Sequence, residues 1–227
     1  MLSDGDVLLA LSFSAAPAQA RGVASARCSF DGERLTIREV GPELRHDAGR
    51  SLLEPSLVRF ADRFLITLRA EDGRGYVAAS DDGLAWEPHR PWAWDDGEPL
   101  ETSTTQQHWL AHSERLFLVY TRKDARNANV FRWRSPLWMA EVDLDALRLR
   151  RSTERVVLPL VGDGVNDPDR VAIMGNFHVT SASPHESWVT VGEWQPRNGI
   201  RGDLLLARIR WSRPNTLASI PPPAGLP

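Results

Sequence analysis

Four stretches of this 227-residue chain repeat one pattern, and this repeat limits the possible fold more than any other feature. In each stretch a short polar turn precedes an apolar run of strand-forming residues, and a second run of the same kind follows after a loop. The turns start at residues 5, 62, 114 and 186, and the second runs cover residues 24–30, 75–80, 136–142 and 203–211. Because helical patterning is scarce and a blade of ~40–50 residues carries about four strands, the repeat predicts an all-β propeller.

Charge and composition exclude several classes of protein. The chain has 27 basic and 30 acidic residues, which gives a formal net charge of −3 rather than the basic excess of a duplex-coating nucleic-acid binder. No apolar run approaches the ~18 residues that a membrane-spanning helix needs. Cys28 is the single cysteine, which excludes an internal disulfide and a cysteine zinc cluster. We therefore expect neither a nucleic-acid partner nor a membrane.

The N-terminal residues allow two interpretations. Residues 8–13 followed by Ala18-Gln19-Ala20 resemble a signal peptide with its cleavage site, but the first six residues carry two acids and no base. The same stretch fits a turn followed by a strand over residues 7–13, which we favour. On this interpretation a cytoplasmic location is favoured, while a secreted or periplasmic location stays open for a longer form of the protein.

Two copies of a hairpin motif lie 51 residues apart. The second is Ser80-Asp81-Asp82-Gly83-Leu84-Ala85-Trp86, and the first is Ser29-Phe30-Asp31-Gly32-Glu33-Arg34-Leu35, with leucine in place of tryptophan. An aspartate at a hairpin tip accepts backbone N–H groups, a glycine permits positive φ, and a tryptophan anchors the hairpin between sheets. We assign structural roles to the residues Asp31, Gly32, Asp82, Gly83 and Trp86.

This motif resembles the Asp-box of the sialidase superfamily, in particular bacterial BNR-repeat proteins of the sialidase-like, glycosyl hydrolase type. Further segments in the same order carry the resemblance: residues 53–57, 67–69, 75–86, 105–109, 119–122, 130–137, 175–177 and 188–194. The resemblance implies an all-β, sialidase-like β-propeller over residues 1–212, with about four blades against six in the full ring. Residues 213–227 are rich in proline and read as a disordered or extended tail.

The resemblance also implies a carbohydrate ligand, because retaining sialidases hold a sugar carboxylate with three arginine forks. Arg69 and Arg122 end equivalent strands and are the first two candidates, with solvated surface ion pairs as the alternative. Arg132 and Arg134 alternate with aromatic residues, which predicts a strand on which one of the two arginines supplies a third fork. A solvated strand face is the alternative, and it is favoured for Arg134. Gln107 and Asn176 are candidate binding amides. The expected substrate-binding residues are therefore Arg69, Arg122, Arg132, Gln107 and Asn176.

Three further residues are candidates for catalysis. Glu54 precedes Pro55 and Glu193 ends the fourth strand run, so each carboxylate is a candidate base or sugar-hydroxyl acceptor among the arginines. A turn-capping role for Glu54 and an arginine-pairing role for Glu193 are the alternatives. His108 is a candidate acid or base near neutral pH, unless it is simply packed against Trp109. The neighbouring tryptophans Trp92, Trp94 and Trp109 fit the core or its rim better than a sugar platform.

The chain also departs from the enzyme pattern. The nucleophilic tyrosine of sialidases lies late in the sequence, whereas the tyrosines here are Tyr76 and Tyr120. The acidic loops at residues 95–98 and 163–169 lack the full calcium-loop pattern, and no phosphate-loop or dinucleotide motif is present, so we expect no metal or cofactor.

Three functions stay open: a sialidase-like exo-glycosidase acting on glycan termini, a non-catalytic glycan-binding propeller, and a structural relic without a ligand. The count of four repeats suggests part of a longer protein. We then expect an open arc of sheets, with one apolar blade flank exposed and available for self-association.

Overall fold

The computed structural model describes residues 2, 4–14, 21–103, 105–162, 165–167, 171–195 and 201–218. The described residues form fifteen β-strands and three short 3₁₀ helices, with no α-helix among them, so the predicted all-β class is confirmed. No helix in this part of the chain is long and apolar enough to cross a membrane. The chain divides into two compact units, Met1–Gln107 and His108–Pro227. The single domain over residues 1–212 stays a prediction.

The first unit contains two antiparallel sheets. One sheet has the order β1-β2-β3 and the other has the order β4-β5-β6-β7. The strands are β1 Val7–Phe13, β2 Gly22–Phe30, β3 Leu35–Val40, β4 Leu53–Phe60, β5 Arg63–Arg69, β6 Gly75–Ser80 and β7 Arg90–Pro91. The strand expected over residues 7–13 is present as β1, whereas Ala18, Gln19 and Ala20 lie outside the described residues.

The core of the first unit forms where apolar side chains of both sheets meet. Its buried cluster consists of Val23, Leu52, Ile66, Leu68, Ala70, Tyr76 and Ala78. The indole of Trp86 packs against this cluster, and its Nε1 donates a hydrogen bond of 3.0 Å to Oγ of Ser25 in β2. Trp92 and Trp94 are buried, as the sequence predicted.

Both hairpin motifs close their turns through an aspartate. Oδ1 of Asp82 accepts the backbone N–H groups of Leu84 and Ala85 at 2.8 and 2.9 Å, and Gly83 has a φ of +77°. These hydrogen bonds hold the pKa of Asp82 below its ordinary value.

The first motif has the same arrangement. Oδ1 of Asp31 accepts the N–H groups of Glu33 and Arg34 at 3.0 and 2.7 Å, and Gly32 has a φ of +103°. The residue that replaces tryptophan in this copy, Leu35, is exposed rather than anchored between sheets.

The second unit also contains two antiparallel sheets. The order is β11-β10-β9-β8 in the first, where β12 also pairs with β10, and β13-β14-β15 in the second. The strands are β8 His108–His112, β9 Arg115–Tyr120, β10 Leu137–Asp143, β11 Arg148–Leu149, β12 Arg155–Leu158, β13 Ile173–Ser183, β14 Glu186–Trp194 and β15 Leu204–Arg210. All four predicted strand pairs are therefore confirmed, as β1–β2, β5–β6, β9–β10 and β14–β15.

The core of the second unit lies between its two sheets. The buried cluster consists of Leu110, Val119, Leu137, Met139, Met174, Phe177, Val189 and Val191. From β15, the side chains of Leu205, Ala207 and Ile209 pack against it. After this strand, Asn215 is buried and donates a hydrogen bond of 2.9 Å from Nδ2 to the carbonyl of Ala111. The first residues of the expected tail therefore pack on this unit, and residues 219–227 lie outside the described part.

The predicted strand through Arg132 and Arg134 is wrong. Phe131–Trp133 is a 3₁₀ helix in which Arg132 has a φ of +53°, inside the 16-residue connection between β9 and β10. Alternation of side chains across a strand therefore does not apply here, and the two arginines have different surroundings.

Candidate functional site

A cavity of about 280 Å³ lies in the second unit, where β13 begins and β14 ends. The antiparallel register places Ile173 opposite Trp194 and Gly175 opposite Gly192, so both strand ends reach the same edge of the sheet. The residues that line this cavity, hereafter the Glu193 cavity, are Arg134, Ile173, Gly175, Asn176, Gly192, Glu193 and Trp194. Two of the residues expected from the sequence, Asn176 and Glu193, are thus brought together.

An irregularity in β13 places Asn176 at the cavity. The pairing of β13 with β14 shifts between Gly175 and His178, and Asn176 has a φ of +55° in the left-handed region. Asparagine tolerates this conformation better than most residues. The shift leaves Asn176 exposed while Phe177, the next residue, is fully buried in the core.

The backbone at Glu193 depends on a close approach by the chain after β14. The N–H of Glu193 donates to the carbonyl of Asp203 at 2.8 Å, and the N–H of Gln195 donates to that of Arg201 at 2.7 Å. A Cβ at position 202 would lie 1.8 Å from the carbonyl oxygen of Glu193, which is a steric clash, so only glycine fits here. Gly202 therefore lets the β14–β15 connection fold against the cavity edge.

Arg134 reaches the cavity from the connection between β9 and β10. The N–H of Met174 donates to the carbonyl of Arg134 at 2.8 Å, which ties this connection to β13. A Cβ on Gly175 would lie 3.1 Å from Nη1 of Arg134, so the guanidinium rests on the glycine backbone. Of the two arginines that the sequence offered for a third fork, Arg134 lines the cavity and Arg132 does not. Arg132 is exposed, with its guanidinium 5.1 Å from the Phe131 ring centre.

Asn127 fastens the two ends of the same connection. Its side chain is fully buried, and Nδ2 donates to the carbonyls of Arg122 and Ser135 at 2.8 and 2.9 Å. Its Oδ1 accepts the backbone N–H of Asp124 at 2.8 Å. These three hydrogen bonds restrain the backbone on both sides of the loop, including the residue that follows Arg134.

The cavity therefore combines a guanidinium, a carboxylate, an amide and an aromatic face. Trp194 is 46% exposed, which is unusual for a tryptophan that serves only to fill a core. The sequence offered Arg134 only as one of two arginines on an expected strand, and no residue pattern distinguished Trp194 from the other tryptophans of this chain. Among the described residues, no group of three or more histidine, cysteine or acidic side chains is arranged to hold a metal ion.

Two other expected residues meet in the first unit. Arg69 ends β5, is only 6% exposed, and donates from Nη1 to Oε1 of Glu54 at 2.6 Å. Nη2 of Arg69 also lies 3.7 Å from Oε1 of Glu71, which Arg50 binds at 2.9 Å through Nε. Arg50 is the main cause of the lowered pKa of Glu71. Arg69 thus belongs to a chain of alternating charges inside this unit.

Arg122 is held by Glu154, a carboxylate that no pattern in the sequence indicated. Its Nε and Nη2 donate to the two oxygens of Glu154 at 2.7 and 2.8 Å, and its guanidinium carbon lies 4.5 Å from the Trp138 ring centre. Burial alone would lower the pKa of Arg122, but Glu154 outweighs it and the pKa is raised. Arg122 is not among the residues that line the Glu193 cavity.

Tyr120 shares this carboxylate. Its buried hydroxyl donates to Oε1 of Glu154 at 2.8 Å. Burial raises the pKa of Tyr120 well above the ordinary value, and the charge of Glu154 raises it further. These properties suit a structural hydrogen bond rather than an activated nucleophile, which needs access to the substrate and a lowered pKa or a base.

The remaining candidates are packed among protein groups. Gln107 is 2% exposed, and its Oε1 accepts a hydrogen bond of 2.5 Å from Thr67 within the first unit. In the second unit, the ring of His108 lies 5.2 Å from that of Phe177 and 5.6 Å from that of His178. Neither arrangement presents an open binding group like those of the Glu193 cavity.

Solved structures with the same architecture identify the fold. The Trypanosoma rangeli sialidase in complex with the inhibitor DANA matches 91% of the chain at 13% identity, with a TM-score of 0.56. The fold is a sialidase-like β-propeller. A mutant Bombyx mori GH32 β-fructofuranosidase in complex with sucrose matches 92% of the chain at 11% identity and a TM-score of 0.55. The α-L-arabinofuranosidase from Lactobacillus brevis matches 96% at 14% identity and a TM-score of 0.55.

These propellers differ in how much of each the chain covers. It spans 30% of the Trypanosoma rangeli sialidase, 47% of the Bombyx mori enzyme and 74% of the Lactobacillus brevis enzyme. No family model and no curated protein matches the chain. At identities of 11–14% the likeness concerns the propeller fold, which is a glycosidase-like fold, and the function has to be argued from the site.

Proposed function

We propose that this propeller binds the terminus of a glycan in the Glu193 cavity. The observation that carries the proposal is the convergence of Arg134, Asn176, Glu193 and Trp194 on one cavity of about 280 Å³. Pockets for drug-sized ligands begin at about 300 Å³, so this space suits a single sugar residue. The supporting neighbours, the sialidase and the β-fructofuranosidase, were solved with an inhibitor and with sucrose.

Each side chain has a separate role in this proposal. The face of Trp194 packs against the apolar side of the sugar ring, and the Glu193 carboxylate accepts hydrogen bonds from hydroxyl groups. Asn176 both donates and accepts. Arg134 holds a hydroxyl or carboxylate of the sugar, and its guanidinium fork favours the carboxylate. Arg69 and Arg122 are not used, because carboxylates of their own units already bind them.

Binding is tested by calorimetric titration with ligands chosen from a glycan array. We expect Trp194→Ala and Glu193→Gln each to weaken binding at least tenfold. Trp188→Ala is the matched control, because Trp188 is a partly exposed tryptophan on the same strand that does not line the cavity. Equal weakening by the Trp188 and Trp194 substitutions would contradict the proposed position of the sugar.

Hydrolysis of the bound glycan is the second candidate function, and the observation that favours it is a carboxylate in the cavity of a glycosidase-like propeller. Glu193 would then act either as the acid that protonates the glycosidic oxygen or as the base that deprotonates the water attacking the anomeric carbon. The test is turnover of a panel of aryl glycosides, where Glu193→Gln is expected to lower kcat at least 100-fold. Binding without turnover would identify a glycan-binding propeller, and the absence of both would favour a structural relic.

A further inference from the structure

Strand β15 lies at the edge of its sheet. Among the described residues it pairs with β14 on one side, and no strand pairs with its other side. The N–H of Glu193 donates to the carbonyl of Asp203, and the N–H of Trp211 donates to the carbonyl of His185. In a regular antiparallel ladder such bonds recur at every second residue. The backbone N–H and C=O groups of the odd-numbered residues of β15 therefore point toward β14. The backbone groups of Leu204, Leu206, Arg208 and Arg210 therefore point away from the sheet.

This edge lacks most of the devices that block strand addition. Natural edge strands are shortened, kinked by a bulge, or protected by proline or unpaired charge. The seven residues of β15 include no proline or glycine, and the pairing with β14 is regular throughout. Its charge is also partly neutralised, because Nε and Nη2 of Arg208 donate to the two oxygens of Glu186 at 2.7 and 2.8 Å.

We propose that β15 pairs antiparallel with β15 of a second copy of this chain, about a two-fold axis at Ala207. This register aligns the whole strand: Leu204 lies opposite Arg210, Leu205 opposite Ile209, Leu206 opposite Arg208, and Ala207 opposite itself. Each residue whose backbone N–H and C=O point away from the sheet then lies opposite another such residue. Its N–H and C=O therefore find an acceptor and a donor in the second copy. The result is one continuous six-stranded sheet.

The side chains favour a second copy over an unrelated strand. On the core-facing side, Leu205, Ala207 and Ile209 meet only one another, which matches apolar with apolar. On the solvent side no guanidinium lies directly opposite a guanidinium. Leu204 and Leu206, which are 79% and 46% exposed, lie against the aliphatic stems of the second copy's arginines. The same sequence thus supplies both halves of the interface, as a two-fold contact requires.

Sedimentation velocity of the full chain over a range of concentrations tests the proposal. We expect a reversible dimer. Leu206→Pro removes one outward N–H and no hydrogen bond to β14, so it should shift the dimer midpoint at least tenfold toward monomer. Leu206→Ala keeps that N–H and is the matched control, with a shift below threefold. A wild-type chain that stays monomeric at hundreds of micromolar overturns the proposal, as does equal dissociation by both variants.

A second measurement does not depend on how the proline variant folds. Residues paired across the two-fold without backbone hydrogen bonds have Cα atoms about 4.5 Å apart, within the range for a disulfide. Ala207→Cys should therefore form an intermolecular disulfide under mild oxidation, since the native Cys28 is fully buried. Leu205→Cys is the control and should not, because it would face Ile209. Equal cross-linking of the two variants overturns the register.

Discussion

Arg134 rests on Gly175, and a Cβ added to this glycine would lie 3.1 Å from Nη1 of the arginine. The two residues belong to different elements, the β9–β10 connection and β13, and the hydrogen bond from the N–H of Met174 to the carbonyl of Arg134 joins them. The position of the guanidinium in the Glu193 cavity therefore depends on the absence of a side chain at residue 175.

Gly175→Ala is expected to displace the Arg134 guanidinium by a few tenths of an ångström or more and to weaken glycan binding three- to tenfold. Gly175→Ala in an Arg134→Ala background is the matched control, because no guanidinium then meets the added Cβ and no further loss of affinity is expected. Calorimetric titration measures both variants. Equal affinity of the Gly175 variant and the wild type would show that Arg134 does not contact the ligand.

Glu154→Ala is expected to destabilise the protein strongly. The substitution leaves the partly buried Arg122 guanidinium and the buried Tyr120 hydroxyl without their shared carboxylate, and removing one partner of a buried pair costs ~3–5 kcal/mol. Glu87→Ala breaks the exposed ion pair with Arg63 and should cost about 0–1 kcal/mol. Urea unfolding measures both variants. A similar loss for the two would show that the Glu154 network adds no more than a surface pair.

The strand repeat was predictable because polar turns and apolar runs alternate with a regular period. The runs starting near residues 7, 64, 116 and 188 all form strands that pair with the next predicted run. The strand predicted over the segment Val130–Arg134 was wrong because Phe131 and Trp133 alternate with two arginines as they would on a strand. The hydrogen bonds of the Asn127 side chain hold the backbone of this loop in place. The alternation of residue types in the sequence gives no information about these bonds.

The site was predictable only in part, for a related reason. Glu193 lies near the end of β14, a position that the repeat can locate, whereas Asn176 lies inside β13 at an irregularity that the repeat does not indicate. Arg134 comes from an irregular loop, and 26 of the 27 basic residues of this chain are arginine, so its residue type carried no signal. Glu154, which holds Arg122, follows a 3₁₀ helix 32 residues later, and only the folded arrangement brings the two together.

Asp82→Ala is expected to lower the free energy of unfolding by ~1–3 kcal/mol. The substitution removes the acceptor of the Leu84 and Ala85 N–H groups at the hairpin tip, and two hydrogen bonds of this kind contribute about 0.5–1.5 kcal/mol each. Asp81→Ala is the neighbouring control, since its side chain is 96% exposed and its contact with Arg63 is 3.8 Å long. The control should change stability by less than ~0.5 kcal/mol. Thermal and urea unfolding provide the comparison. Equal losses of stability in the two variants would contradict the structural role of Asp82.

Asp124→Asn is expected to flatten the dependence of stability on pH in acid. The hydrogen bond from Arg126 is the main cause that lowers the pKa of Asp124 from 3.8 to about 2. Because the folded-state pKa lies below the unfolded value, the charged carboxylate stabilises the protein above about pH 4 and loses this effect as the pH falls through about 2. Urea unfolding between pH 5 and 2.5 should show a steeper loss for the wild type than for Asp124→Asn. The exposed Asp81→Asn variant serves as the control with the wild-type slope, and a wild-type slope in Asp124→Asn would contradict the charge-assisted contact with Arg126.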